Sequence, residues 1–340
     1  MSPEKYAVVV TTISHPNQAL QTIAEECGRR DWLFICIGDS KTPADFSLDS
    51  CDYYSVERQR ELGFEFANLC PLKHYARKNI GYLIALRDGA SIIVETDDDN
   101  FPRTEFWGLR ERRQTVPALR DAGWVNAYRY FSSAPIWPRG LPLDAINQDH
   151  PSFESLAAVE SDCPIQQGLA DENPDVDAIY RLILPLPQNF RADRRLALAN
   201  GSWCPFNSQN TTWWREAFPL LYLPAYCSFR MTDIWRSFVA QRIAWERDWS
   251  LLFHEPTVYQ ERNEHSLMRD FADEVPGYLR NREIGEILTN IEFDENASML
   301  SGLKTCYERL TNSEIVGAQE MALVEAWTED VSRLFDRTGE

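Results

Sequence analysis

The sequence is short of histidine, of basic charge and of long apolar runs. Five His stand among 340 residues, and 34 Lys+Arg face 52 Asp+Glu, a formal net charge of −18. So acidic a surface repels nucleic acid and anionic membranes, which excludes both as expected partners. An anionic ligand must then be met by a local exception: a basic cluster, a helix N-terminus or a metal ion. No stretch approaches the ~20 apolar residues of a membrane helix. The apolar run Tyr6-Ala-Val-Val-Val10 is too short for a signal peptide and has no basic leader. These features predict a cytoplasmic protein without a membrane span. The eight Cys show no Cys-x-x-Cys spacing, so reduced, buried thiols are expected in place of a zinc or redox motif. Repeats and low-complexity tracts are also missing. What is present is core material, with 44% hydrophobic residues, 11 Trp, 13 Tyr and 17 Phe. The length suits one large domain or two ordinary ones.

The first 130 residues read as alternating strands and helices. Tyr6–Thr12 is a β-branched apolar run, and Gln18–Arg29 has helical spacing. Trp32–Ile37 is a second strand ending at Gly38-Asp39-Ser40. Leu72–Arg87 reads as a helix and Ala90–Glu95 as a third buried strand. Thr104–Arg120 is expected to be helical and Trp124–Tyr130 a strand. Such a βαβ pattern predicts a parallel α/β sheet. Residues 131–210 are irregular and rich in Pro, Asn and Asp, except for a periodic segment at Val176–Ile183. Thr232–Trp245 is a strong helix, Trp249–Phe253 a strand, and 268–338 helical throughout, with Thr311-Asn-Ser-Glu314 as a capping box.

Chemistry concentrates in four places. Ile92-Ile-Val-Glu-Thr-Asp97-Asp98-Asp99-Asn100 puts three consecutive carboxylates at the end of a buried strand. They repel one another unless something positive sits there. Their hard oxygens suit Mg²⁺ or Mn²⁺, and the carboxyl end of a parallel strand is where α/β sheets bind ligands. Lys73-His-Tyr-Ala-Arg77-Lys78 gathers basic groups in an acidic protein. With Lys73 and Arg77 on one helix face and Lys78 beside them, it reads as a diphosphate grip. Thr11, and the Gly38-Asp39-Ser-Lys41-Thr-Pro43 turn, lie at the ends of the first two strands. Asp39 there can accept a hydrogen bond from a base N–H or a ribose hydroxyl. Asp233, in Arg230-Met-Thr-Asp233-Ile-Trp-Arg236, falls at a helix start, as a cap or as a general base on an acceptor. His254 and His265 are late candidates for a metal shell.

Gly38-Asp-Ser-Lys-Thr-Pro43, Lys78-Asn-Ile-Gly-Tyr82, Glu95-Thr-Asp-Asp-Asp-Asn100 and Thr232-Asp-Ile-Trp-Arg236 together resemble the STELLO-type glycosyltransferases. More distantly they resemble the reversibly glycosylated polypeptides, which include UDP-arabinopyranose mutases. Gln167-Gly-Leu-Ala-Asp-Glu-Asn-Pro-Asp-Val-Asp177-Ala178 resembles the Gly-Leu-Trp…Pro-Asp-Tyr-Asp-Ala stretch of the latter. The resemblance runs from about Tyr6 to His265. It implies an α/β fold of the GT-A nucleotide-diphospho-sugar transferase type, Rossmann-like with a mostly parallel sheet. A catalytic domain would span 1–265, with a nucleotide-sugar half at 1–130 and an acceptor half at 131–265. A helical extension would follow at 266–340. It implies a metal-dependent transferase moving a sugar from a nucleotide-diphosphate sugar, a UDP-sugar above all, to a glycan, small-molecule or protein acceptor. Asp97 and Asp99 would bind Mn²⁺ or Mg²⁺, with His265 as a further ligand. Thr11, Asp39, Lys41, Arg77, Lys78, Asp97 and Asp98 would hold the donor, Asp39 at the nucleobase and Lys78 at the phosphates. Asp233 would be the base. Two alternatives stay open: a nucleotide-sugar mutase, and a non-catalytic nucleotide-sugar-binding protein.

Overall fold

A computed structural model describes residues 4–261, 266–294 and 297–336. The chain forms two compact units. The first comprises 1–98, 213–232 and 293–340; the second comprises 99–212 and 233–292.

The first unit is built on four parallel strands: β1 (Tyr6–Thr12), β2 (Leu33–Gly38), β3 (Asp52–Tyr54) and β4 (Ile92–Thr96), in the order β3-β2-β1-β4. Register runs Val8 to Phe34 and Val8 to Val94, so β1 is hydrogen-bonded on both sides. Its Val-Val-Val run is buried for that reason. Helix α1 (Gln18–Arg30) connects β1 to β2, capped by Asn17, whose side chain accepts from the Leu20 N–H. A second long helix, Lys78–Arg87, leads into β4. Its Gly81 is a close-approach position: a Cβ there would lie 2.5 Å from Val9 Cγ1 and 3.1 Å from Ile37 Cγ1.

The helices Met299–Asn312 and Glu320–Asp336 belong to this unit and complete its core. Trp327 donates to the Pro219 carbonyl at 3.1 Å and packs edge-on against Phe66. Buried Glu320 accepts from the N–H groups of Ala225 and Tyr226 and from the Tyr222 hydroxyl. Asp330 accepts from the Phe66 N–H at 2.9 Å.

The second unit has a mixed sheet. Ile165–Asp171 runs parallel to the long strand Leu251–Gln260, which pairs antiparallel with Leu196–Leu198. Leu196–Leu198 pairs parallel with Arg113–Leu119, and that strand antiparallel with Ala158–Asp162. Helices Thr232–Trp245 and Leu267–Thr289 belong here, tied together by Asn281, which accepts from Trp235 Nε1 at 2.8 Å and donates to the Gly140 carbonyl at 2.7 Å. The architecture is thus α/β, with a mostly parallel sheet and a helical C-terminal region.

Several local expectations are corrected. Thr104–Arg120 is not a helix: a 3₁₀ turn at Thr104–Trp107 ends at Gly108, and Arg113–Leu119 is a strand. Pro117 and the β-branched Thr115 and Val116 disfavour helix there. Trp124–Tyr130 gives strand only at Gly123–Trp124, then a 3₁₀ turn at Ala127–Tyr130. The region around Lys73 breaks the expected Leu72–Arg87 helix, because Lys73 has φ of +58°. Thr311–Glu314 does not open a helix; it lies where Met299–Asn312 ends, and Glu314 takes a φ of +55°.

Candidate functional site

The strand ends of the first unit bring Thr12, Asp39, Asp97 and Asp98 to one edge. Thr12 donates its hydroxyl to Asp98 Oδ2 at 2.6 Å, and Asn17 donates to the Asp98 carbonyl at 2.7 Å. Thr42 joins β1 to the turn after β2: its hydroxyl donates to the Thr12 carbonyl and accepts from the Asp39 N–H. The Asp39 carboxylate accepts from the N–H groups of Ser40 at 2.5 Å and His74 at 3.0 Å. Lys41 is exposed, and Thr11 is partly buried in register with Ile37. Burial pushes the Asp98 carboxyl up, as does the neighbouring Asp97 charge, while the Thr12 hydroxyl and Lys78 oppose them.

Asp97 is the most elaborately held of the three. Lys78, fully buried, places Nζ 3.1 Å from Asp97 Oδ1, 2.7 Å from the Thr96 carbonyl and 2.8 Å from the Tyr75 hydroxyl. Tyr75 in turn donates to the same Asp97 Oδ1 at 3.0 Å. Lys78 is therefore directed at Asp97 and the strand end, not outward as a phosphate grip. Arg77 is buried too and is engaged within the fold: Nε donates to Gln59 Oε1 and Nη1 to the Cys70 carbonyl, both at 3.0 Å. A diphosphate grip with Lys73 and Arg77 on one helix face does not form. The rest of Lys78–Tyr82 is architectural. Asn79 exchanges hydrogen bonds with the Leu223 backbone, and Tyr82 and Trp213 both donate to buried Glu95.

Asp99 lies on the second unit's side of the boundary. Its Oδ1 accepts from Gln260 Nε2 at 3.0 Å, and its carbonyl from the Glu261 N–H at 3.3 Å. His265 falls outside the described residues. His254 is buried, with Nδ1 3.0 Å from the Glu255 carbonyl. Among the described residues no group of three or more His, Cys, Asp and Glu is arranged to hold a metal ion. Mg²⁺ and Mn²⁺ commonly take one or two carboxylates plus substrate phosphates, so the oxygen donors of the strand end still suit such an ion.

Asp233, expected as a general base, is tied into a buried ion pair. It is buried and accepts from Arg139 Nη1 at 3.1 Å, Arg139 Nη2 at 2.9 Å and the Ser208 N–H at 3.2 Å. Desolvation would raise its pKa, but the Arg139 charge and hydrogen bonds win and hold the carboxyl at about 2. A carboxylate so stabilised is a poor proton acceptor near neutrality. Its neighbours among the acids differ. Asp175 shares Arg139. Asp171 accepts from Arg103 and the Phe190 N–H, and burial pushes it up. Asp177 caps the helix Ala178–Ile183, accepts from Trp137 Nε1 at 2.7 Å, and is pushed by burial to about 6.

Sequence reasoning passed over Tyr75, Thr12 and Arg139. Tyr75 carried a faint signal, three residues before Lys78 and so one turn from it. Arg139 carried none, since its two partners lie 36 and 94 residues away.

The family model described as "STELLO glycosyltransferases" matches residues 230–337. "Probable glycosyltransferase STELLO2" of Arabidopsis thaliana is 30% identical over 272 residues, 74% of this chain and 35% of that protein. The chain is a relative of the STELLO glycosyltransferases. "Probable glycosyltransferase STELLO1" of the same plant is 29% identical over 273 residues, with the same coverage. This chain thus spans about a third of the length of the two STELLO proteins. Two solved structures are also similar. One is titled a mycobacterial protein, with 11% identity, TM-score 0.40, and 83% of this chain and 74% of the other covered. The other is S. aureus TarS 1-349 in complex with UDP-GlcNAc, with 14% identity, TM-score 0.34, and 97% and 82% covered. The STELLO match at 230–337 takes in the two helices that complete the first unit, whereas the acidic strand end lies outside it. No helix among the described residues is long and apolar enough to cross a membrane.

Proposed function

We propose that the chain is a GT-A-type glycosyltransferase that takes a nucleotide-diphosphate sugar, with UDP-sugars the first donors to test, assisted by Mn²⁺ or Mg²⁺. The observation that carries this reading is the held carboxylate at the end of β4: Asp97 fixed by Lys78 and Tyr75, with Asp98 fixed by Thr12 beside it. Relationship to the STELLO glycosyltransferases supports the reaction class. Asp97 is the proposed metal ligand in the first unit, and Asp99 follows it by chain position. When bound, the cation neutralises the charge that develops on the departing nucleoside diphosphate. Asp39, whose carboxylate accepts from the Ser40 and His74 N–H groups, is the proposed acceptor for a base N–H or a ribose hydroxyl, and exposed Lys41 is a proposed cation for phosphate. The acceptor, whether glycan, small molecule or protein, and the group that deprotonates it are unassigned.

A thermal-shift screen of UDP-sugars with and without Mn²⁺ tests the reading. The melting temperature should rise with donor and metal together, and Asp97→Asn should remove the metal-dependent part. No shift with any UDP-sugar would reject it. Ring isomerisation of a UDP-sugar without acceptor would favour the mutase alternative instead.

A further inference from the structure

We propose that Tyr75 and Lys78 are positioning residues that pre-set the Asp97 carboxylate for the divalent cation, an inference that rests on the donor-site reading above. Two donors converge on one oxygen, Asp97 Oδ1: Lys78 Nζ at 3.1 Å and the Tyr75 hydroxyl at 3.0 Å. The two donors are themselves joined, since Nζ donates to the Tyr75 oxygen at 2.8 Å, and Nζ is anchored to the Thr96 carbonyl at 2.7 Å. Lysine, phenol and carboxylate thus form a closed ring around a single oxygen. Such a ring fixes the rotation of the carboxylate about its last bond.

The burial pattern separates this from an ordinary internal ion pair. The Lys78 side chain is 0% exposed, whereas that of Asp97 is 29% exposed. A fully buried ammonium is costly, and an apolar side chain of similar volume would serve packing as well or better. Here the buried cation supports a carboxylate that solvent reaches at the strand end. The Tyr75 ring is steadied from outside by Phe229, edge-on at 6.4 Å. Metal-binding carboxylates are commonly oriented by hydrogen-bonded partners, and loss of such a partner typically weakens metal binding about 10–100-fold.

Tyr75→Phe removes one hydroxyl and keeps the ring against Phe229, so it tests the clamp with little risk to folding. Mn²⁺ binding to the whole chain in the presence of UDP would be measured by calorimetry. UDP binding without metal and the metal-free melting temperature would be measured alongside. Tyr75→Phe should weaken Mn²⁺ binding about 10–100-fold while leaving metal-free UDP affinity unchanged, with at most a small fall in melting temperature from the acceptor lost to Lys78 Nζ. A merely structural tyrosine would move the Mn²⁺ and metal-free UDP affinities together, and that result overturns the proposal. Unaltered Mn²⁺ affinity in Tyr75→Phe overturns the clamp alone, leaving the donor site standing. If the unaltered chain binds no Mn²⁺ with UDP, the donor-site reading falls and the clamp falls with it. Lys78→Met is the second variant and should weaken Mn²⁺ binding at least as much; Mn²⁺ binding equal to the unaltered chain in a folded Lys78→Met protein also overturns the clamp.

Discussion

Asp175 and Asp233 share one guanidinium. Arg139 reaches Asp175 through Nε and Nη2 at 2.7 and 2.8 Å, and Asp233 through Nη1 and Nη2 at 3.1 and 2.9 Å. All three side chains are nearly buried, with 6% of Arg139 and 11% of each carboxylate exposed. Two acidic motifs far apart in sequence therefore meet as one ionic keystone inside the second unit.

Asp233→Asn should accordingly behave as a stability variant. It leaves Arg139 with one anion in place of two, and breaking a buried pair costs about 3–5 kcal/mol. Urea unfolding should show that loss, with turnover of the folded fraction preserved. A stable variant whose turnover falls by about 10²–10⁴ would reinstate Asp233 as a base. The pH dependence has a definite sign. The folded carboxyl is held at about 2, below the ~3.9 of an unfolded Asp. Its contribution is complete above about pH 4 and is lost as pH falls toward 2. Asp233→Asn should lack that acid-sensitive component.

Much of the first unit was legible in the sequence because its pattern is local. β1, α1 and β2 follow from an apolar β-branched run, a 3.6-residue period and short turns, and the strand-end position of Asp97 follows with them. The side-chain directions were not legible. Whether a lysine at a helix start faces a ligand or the end of the strand that follows depends on tertiary neighbours, here Thr96 and Asp97. Arg77 has charge and position suited to phosphate, yet Gln59 and the carbonyl of Cys70, just before the motif, claim it. The capping-box reading of Thr311–Glu314 failed because the same residue types also suit a helix end.

His254 gives a second acid-sensitive component. Burial first, then the Arg110 charge, pulls its pKa down to about 4, although Glu255 opposes them. A folded pKa below the unfolded ~6.5 means stability is complete above about pH 6.5 and lost as pH falls toward 4. Between pH 7 and 5 this amounts to about 2 kcal/mol. His254→Gln should show a flatter dependence over that range in urea midpoints. Asp177, pushed up to about 6, works in the opposite direction, so the comparison must be between variant and unaltered chain at each pH. Parallel curves for the two proteins would show that His254 is not the group responsible.

Arg77→Ala should weaken the fold and spare the donor. It leaves Gln59 Oε1 and the Cys70 carbonyl without their buried donor, at a cost of about 2–4 kcal/mol. UDP affinity of the folded variant, measured by calorimetry at low temperature, should match that of the unaltered chain. A tenfold loss of UDP affinity with stability intact would return Arg77 to the phosphate site.

Removal of the C-terminal helices should unfold the first unit, not trim an appendage from it. A chain ending at Glu292 loses Trp327, which fills the space beside Phe66 and Tyr222 and donates to the Pro219 carbonyl. It loses Glu320, which satisfies the Tyr222 hydroxyl and the N–H groups of Ala225 and Tyr226. It also loses Asp330, which caps the Phe66 N–H. Deleting a buried Trp side chain alone costs about 3–5 kcal/mol, and each orphaned buried donor adds about 1–3 kcal/mol. Together these reach the ~5–15 kcal/mol that holds a typical domain folded. The truncated chain should therefore lose its cooperative melt in circular dichroism and be cleaved by protease within 1–98. Glu320→Gln, which keeps the shape and one acceptor oxygen, should fall between the two. A truncated chain that melts cooperatively and still responds to UDP with Mn²⁺ would show that the strand-end site stands without these helices.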